Sequence, residues 1–262
     1  MEKKTPDYGN WVPAAMMRTL GLGVLALAVL EFVLIRFVKI NWLSIVGAIA
    51  LAIMACFAIY MYCCRRAFDF EHGGVMAKVH EYLVQHLDWD GKGRLLDIGC
   101  GAGALTIRCA KKFKSAQLVG MDYWGAGWSY AQKQCESNAE IEGVADRVTF
   151  QKGDAAKLDF KDGEFDAVVS NFVFHEVQTA PDKRDVIREA LRVLRKGGTF
   201  ALQDMFEQKA LYGDMNDMAE ELRKAGFAEV HYIPNIEREC GVPGFIQTPW
   251  MVKGAGLLYG RK

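Results

Sequence analysis

The chain opens on two long apolar runs and then changes to a strand–helix rhythm that continues to its end. From Thr19 to Ile35 the only departures from apolar character are Thr19 and Glu31, and Phe37 and Val38 follow Arg36. Leu43 to Cys64 is 22 residues without a formal charge. At 1.5 Å rise per residue that second run reaches about 33 Å, against a hydrocarbon core of about 30 Å. The pattern predicts spans at about 19–38 and 43–64, joined through Lys39 to Trp42 as an antiparallel hairpin with both ends on one side. Trp11, Trp42, Tyr60 and Tyr62 fall near the expected interfaces, where amphipathic aromatics settle. A buried helical pair and a cleaved signal peptide are the alternatives. The small-residue triplet Ala26-Leu27-Ala28, however, lies inside the first run, and a longer run follows it. Lys3, Lys4, Arg18, Arg65 and Arg66 flank the hairpin, while Arg36 and Lys39 sit in its turn, which favours both termini inside. Glu31 is costly against lipid, about 2.5–3.5 kcal/mol near a helix centre. It would be protonated, snorkel, face the other helix, or meet a substrate.

Beyond Ala67 amphipathic helices alternate with short apolar strands. Helices are predicted at 75–87, 104–113, 128–141, 182–195 and 215–225. Strands are predicted at 94–98, 117–121, 148–151, 165–170, 199–203, 228–233 and 251–258. Gly197-Gly198 and Gly226 read as helix stops. Regular alternation implies a doubly wound α/β body, with a mostly parallel sheet between two helical layers. Residues 234–250 separate the last two strands by a loop alone, so those two should pair antiparallel. The organisation is therefore an anchor at residues 1–66 and a folded body at 67–262.

Charge sharpens that division. The 32 basic and 32 acidic residues cancel, but residues 1–66 carry a net +4 and residues 67–262 a net −4. An acidic body argues against nucleic acid as partner. The seven cysteines are odd in number, contain no CxxC and show no secretory spacing, which reads as free thiols in a reducing compartment with no metal site.

The residues that carry chemistry cluster where strands meet loops. Leu95-Leu96-Asp97-Ile98-Gly99-Cys100-Gly101-Ala102-Gly103 runs a strand into a glycine turn and then a helix. Glycines let the backbone turn tightly and approach a ligand closely. In a doubly wound sheet that ligand lies beyond the carboxyl ends of the strands. The acid two residues before the first glycine suits a ligand bearing positive charge better than a pyrophosphate; its other reading is a cap on backbone amides. Asp122 ends the next strand, 25 residues on, where a carboxylate can accept from both hydroxyls of a ribose. Asp154, in Gly153-Asp154-Ala155, ends the third strand and is placed to accept from an adenine amine.

In order and spacing these segments, together with Phe165-Asp166-Ala167-Val168-Val169-Ser170 and Arg192-Val193-Leu194-Arg195-Lys196-Gly197-Gly198-Thr199, resemble the class I S-adenosylmethionine-dependent methyltransferases. The resemblance covers about residues 72–262. It implies a seven-stranded sheet of order 3-2-1-4-5-7-6, the seventh strand antiparallel between the fifth and sixth. It implies S-adenosylmethionine as cofactor, with Gly99, Cys100, Gly101 and Gly103 around the methionine part, Asp122 on the ribose, and Asp154 and Ala155 on the adenine. Asn171 and Phe172 would border the transferred methyl. Two features depart from the small-molecule and lipid/quinone branch that the body otherwise resembles. One is the hairpin. The other is the aromatic segment 123–130, from which Tyr123 or Trp124 is expected to face ligand. His175 follows the methyl-proximal segment and could deprotonate an acceptor, a structural role being the alternative.

Asn171-Phe172-Val173 lacks the Pro-Pro-aromatic signature of methyltransferases acting on base or glutamine amide nitrogen. The expected acceptor is a small hydrophobic or amphiphilic molecule: a lipid, a quinone precursor, an apolar thiol or a phenol. Anchoring would raise its local concentration. A non-catalytic adenosylmethionine-binding module serving a membrane partner is the alternative. The body is expected on the cytoplasmic side, where the cofactor is supplied, and the chain is compatible with a homo-oligomer.

Overall fold

The computed structural model describes residues 5–70, 74–125 and 132–262. Lys3, Lys4, the first residues of the helix expected at 128–141 and Trp128 and Tyr130 of the aromatic segment lie outside these. The chain divides into two compact units, one of Gly9–Met76 and one of Met1–Tyr8 with Ala77–Lys262.

In the first unit, α1 (Ala14–Val33) continues as one turn of π-helix, Leu34–Val38. Lys39 then takes a left-handed conformation, φ 57°, and α2 (Asn41–Phe68) returns. Both helices extend several residues past the apolar runs, because Arg65 and Arg66 stay helical at the end of α2. Ahead of α1 the chain is braced on the end of α2. Asn10 Nδ2 donates to Arg65 O at 2.8 Å, the Arg65 guanidinium donates to Val12 O, and Trp11 packs on Phe68 with ring centroids 5.1 Å apart. Glu31 is buried between the helices, and a Cβ on Gly47 would fall 2.0 Å from Glu31 Oε2, so glycine lets that carboxyl lie directly against α2. The rest of the surface is apolar and uncovered. Just 6% of the most apolar 18-residue window in Ala14–Val38, and none of that in Asn41–Phe68, is buried. Core helices of a soluble protein bury such stretches; these expose Leu22, Phe32, Phe37, Trp42, Ile53 and Ile59.

The second unit is a seven-stranded sheet of order β3-β2-β1-β4-β5-β7-β6. Its strands are β1 (Gly93–Ile98), β2 (Ala116–Asp122), β3 (Val148–Lys152), β4 (Phe165–Asn171), β5 (Leu194–Asp204), β6 (Glu229–Ile233) and β7 (Gly256–Arg261). β1 to β5 pair parallel, and β7 runs antiparallel to both β5 and β6, as expected. The helices are α4 (Ala104–Lys112), α5 (Gln132–Ile141), α6 (Lys183–Arg192), the single turn α7 (Lys209–Tyr212) and α8 (Met215–Lys224). α3 (Val75–Gln85) precedes β1 and crosses the division between the units. One face of the sheet, with Leu96, Ile98, Val168, Phe200 and Leu202, packs on Val186, Ile187 and Ala190 of α6 and Met218 and Leu222 of α8. Alternation puts Asp97, Val169, Asn171 and Gln203 on the opposite face.

Two expected boundaries are corrected. The helix expected at 182–195 ends at Arg192, and β5 starts at Leu194, opposite Phe165. Gly197 and Gly198 do not stop a helix. They form an irregularity within β5, where Gly197 N donates to Lys262 O at 2.6 Å and a Cβ on Gly198 would meet Asp166 O at 2.8 Å. The last strand, expected at 251–258, begins only at Gly256. Met251 N and Lys253 N both donate to Thr248 O, which holds that stretch in turns. The segment before the hairpin also belongs partly to this unit. Asp7 exchanges bonds with the Asn138 side chain on α5, and Tyr8 OH donates to Glu142 Oε1 at 2.8 Å.

Candidate functional site

The glycine turn closes because its backbone is pinned to β2. Gly99 N and Cys100 N donate to Met121 O at 2.7 and 3.0 Å, and Gly101 N donates to Asp122 Oδ2 at 2.8 Å. Gly99, Gly101 and Gly103 have φ of 74°, 56° and 82°, a region that side chains disfavour. A Cβ on Gly99 would fall 2.1 Å from Val173 Cγ2, so the turn and the loop after β4 are in mutual contact. On the far side, Asn138 of α5 donates to Ala102 O at 2.9 Å and to Asp7 O at 2.7 Å, and accepts from Asp7 N at 2.9 Å. Asn138 carries no signal in the sequence, because a buried amide in a helix interior has no periodic mark.

The three acids at or just beyond the carboxyl ends of β1, β2 and β3 have different surroundings. Asp97 is fully enclosed and accepts from Thr106 Oγ1 at 2.5 Å; burial pushes its carboxyl up to about 7, with the Thr106 bond opposing and the Asp122 charge adding. Asp122 uses both oxygens, Oδ2 for Gly101 N and Oδ1 for Trp124 N at 2.8 Å. Asp154 Oδ1 accepts from Ala156 N and Thr179 Oγ1, both at 2.9 Å, beside the buried Ala155. None of the three pairs with a Lys or Arg among the described residues, which leaves the carboxyl ends of these strands acidic.

Trp124 is held in a left-handed conformation, φ 43°, by two bonds: its backbone N–H to Asp122 and its indole Nε1 to Gly101 O at 2.9 Å. It thus closes over the glycine turn. Tyr123 instead projects outward, with the Lys152 ammonium 5.2 Å from its ring centroid. Cys100 is buried in the turn, and burial drives its thiol well above the usual range.

The second half of the site lies at the ends of β4 and β5. Asn171 is the last residue of β4. Phe172 follows at φ 55°, an uncommon conformation for a bulky residue, fixed by its N–H donating to Gln203 O at 2.8 Å. The chain then forms a 3-10 turn, Phe174–Glu176, whose His175 Nδ1 lies 2.6 Å from Asp204 Oδ1. Asp204, wholly buried, also accepts from Val173 N, Phe174 N and Met205 N at 3.0, 2.7 and 2.6 Å. Glu176 Oε1 is 3.5 Å from His175 Nε2. Burial works to lower the imidazole's pKa, but the Asp204 charge and hydrogen bond outweigh it, Glu176 adds to them, and the result is about 10. Asp204 was not anticipated. Its signal, an acid at the carboxyl end of a parallel strand, was the same one that marked Asp97 and Asp122. Together the ends of β1 to β5 gather every expected site residue onto one edge of the sheet, with Tyr123 at its exposed rim.

Comparison with known proteins agrees with this geometry. Residues 96–202 match the family model described as a methyltransferase domain. The chain is 39% identical over 136 residues to the 27-O-demethylrifamycin SV methyltransferase of Amycolatopsis mediterranei, covering 51% of this chain and 46% of that protein. It is 32% identical over 136 residues to a sterol 24-C-methyltransferase of Aspergillus fumigatus, covering 52% and 34%. The chain therefore spans less than half the length of these two relatives. In fold it is similar to geranyl diphosphate methyltransferase solved with GPP and sinefungin, at TM-score 0.55 and 16% identity, over 73% of this chain and 79% of that one. A turn of three glycines in left-handed backbone conformations, and three acids without basic partners, fit a cofactor carrying a sulfonium, an ammonium and a ribose. The unit built on the seven-stranded sheet thus has the class I methyltransferase fold and carries a methyltransferase domain at residues 96–202, with S-adenosylmethionine as its cofactor.

Proposed function

We propose that the whole chain is a membrane-anchored methyltransferase that methylates a small hydrophobic or amphiphilic acceptor. The observation that carries this reading is the joining of a methyltransferase domain to two uncovered apolar helices of membrane-crossing length, Ala14–Val38 and Asn41–Phe68. Relatives named for sterol and rifamycin substrates support an acceptor of low polarity. With two spans, both chain ends lie on one side, and the basic residues that flank the hairpin favour the cytoplasm.

S-adenosylmethionine, when bound, supplies an electrophilic methyl on sulfur. The protein's part is to bind, orient and dry the site. Gly99, Cys100, Gly101 and Gly103 shape the bed for the methionine portion, Asp122 takes the ribose hydroxyls, and Asp154 with Ala155 meets the adenine. Trp124 covers the turn. Asn171 and Phe172 border the point of transfer, Phe172 held there at its unusual φ. Neutral His175 accepts the acceptor's proton at Nε2, while Asp204 holds Nδ1–H, fixes the tautomer and stabilises the imidazolium that forms.

The anchor is tested by fractionation. Full-length protein is expected to stay with membranes through both alkaline and high-salt washes, because two spans insert stably where a surface-bound helix does not. Release by either wash would remove the membrane from this reading while leaving the methyltransferase domain untouched.

A further inference from the structure

The face of the sheet that carries Asp97 ends in two amides with unmet hydrogen-bonding capacity. Gln203, one residue from the end of β5, is completely enclosed, and neither its Nε2 nor its Oε1 has a partner among the described residues. Asn171, opposite it in the β4–β5 register, has a buried Oδ1 with no partner either. Parallel strands lie about 4.8 Å apart, so the two side chains leave the same face side by side. Their backbones are locked together by the bond from Phe172 N to Gln203 O.

A glutamine inside a β-strand core is costly. An enclosed amide that bonds nothing loses its hydration without replacement, and an apolar residue of the same size would pack there without that penalty. Leu202 and Ala201, the residues just before it, are apolar as the core demands. The exception falls at the carboxyl end of the strand, beside the residue that borders the point of transfer and one position before Asp204. That is where a doubly wound sheet receives its ligand.

We propose that Gln203, with Asn171, is the polar end of the acceptor site and selects an apolar acceptor that carries a neutral hydroxyl; this rests on the methyltransferase reading above. The chemistry of the open positions makes the choice. Gln203 Nε2 is a donor, while Gln203 Oε1 and Asn171 Oδ1 are acceptors. A hydroxyl answers both kinds, since its oxygen receives the Nε2 hydrogen and its own hydrogen goes to an amide oxygen. An ammonium would satisfy the oxygens and leave Nε2 facing a like partial charge. A carboxylate would do the reverse. A thiol forms weak bonds with either. A site built to bond a hydroxyl rejects the analogue that lacks it, because its own buried groups are then left unpaired.

The test compares 4-butylphenol with butylbenzene, which differ by that hydroxyl alone. Binding of each to full-length protein in nanodiscs, saturated with S-adenosylhomocysteine, is measured by equilibrium dialysis, with empty nanodiscs subtracted for partitioning. The native chain is expected to prefer the phenol at least tenfold. Gln203→Leu should bring the ratio close to one while calorimetric affinity for S-adenosylhomocysteine is unchanged. Gln203→Met, flexible enough to fit an imperfect cavity, serves the same purpose if the leucine variant does not fold. An unchanged ratio in the variants, or no preference in the native chain, overturns the proposal. Failure of S-adenosylhomocysteine to bind the native chain would instead strike the methyltransferase reading itself.

Discussion

Replacing His175 by alanine is expected to lower kcat by about 10²–10⁴-fold, the range over which a positioned general base contributes. Affinity for S-adenosylhomocysteine should hold, since His175 bonds Asp204 and Glu176 rather than the glycine turn. The pH profile separates a base from a bystander. With its pKa raised to about 10, His175 is mostly imidazolium at neutrality, and only the neutral form can take a proton. Log kcat/KM should therefore climb with a slope near one through the neutral range and level off near pH 10. Glu176→Gln removes one of the two carboxylates that raise the imidazole, so the limb should move to lower pH. Stability moves the opposite way. A group whose pKa is higher in the folded chain contributes fully below its unfolded value, about 6.5, and that contribution is lost as pH rises through about 10. Denaturant midpoints of the native chain should thus fall across this window more than those of His175→Ala. A flat rate profile with undiminished kcat in His175→Ala would sink the base and leave His175 a brace for Asp204.

Asp122→Ala carries the second large effect. Its carboxylate receives the N–H groups of Gly101 and Trp124, one bond from each oxygen, in addition to whatever it offers a ribose. Hydrogen bonds to a charged group are worth about 1.5–3 kcal/mol each, and about 1.4 kcal/mol is tenfold in affinity. Loss of two such bonds to the ribose hydroxyls should weaken S-adenosylhomocysteine binding by roughly 100-fold or more in calorimetry, and the bonds that brace Gly101 and Trp124 are lost with them. Trp124→Phe removes only the indole bond to Gly101 O and should cost several-fold. Equal affinities for native and Asp122→Ala protein would take Asp122 out of the cofactor site. A body truncated to 67–262 is a poor control for either experiment. It lacks Asp7 and Tyr8, whose bonds reach Asn138 and Glu142 and, through Asn138, the glycine turn.

The residues that the sequence alone identified were those whose role is written in local order. Two long, almost wholly apolar runs demand helices, because only a helix satisfies its own backbone bonds over such lengths. Glycines at 99, 101 and 103 after an apolar strand demand a tight turn, and acids at 97, 122 and 154 mark three successive strand ends. Alternation of strands with helices settled the layered α/β body, and the family resemblance supplied the strand order. What stayed hidden depends on residues far apart in the chain. Gly197-Gly198 looked like a helix stop because the partner that makes it part of β5, the C-terminal Lys262, is more than sixty residues away. Asp204 showed no more than an acid at a strand end until the fold brought His175 within 2.6 Å of it. The burial of Glu31 against Gly47 needs the two helices in register, which neither run specifies by itself. Likewise Gln203 becomes exceptional only once the sheet encloses it, since enclosure, not residue type, is what makes an unpaired amide expensive. Backbone patterning is a property of neighbours along the chain and can be read there. Electrostatic pairing, desolvation and steric fit are properties of neighbours in space, and only the tertiary structure decides them.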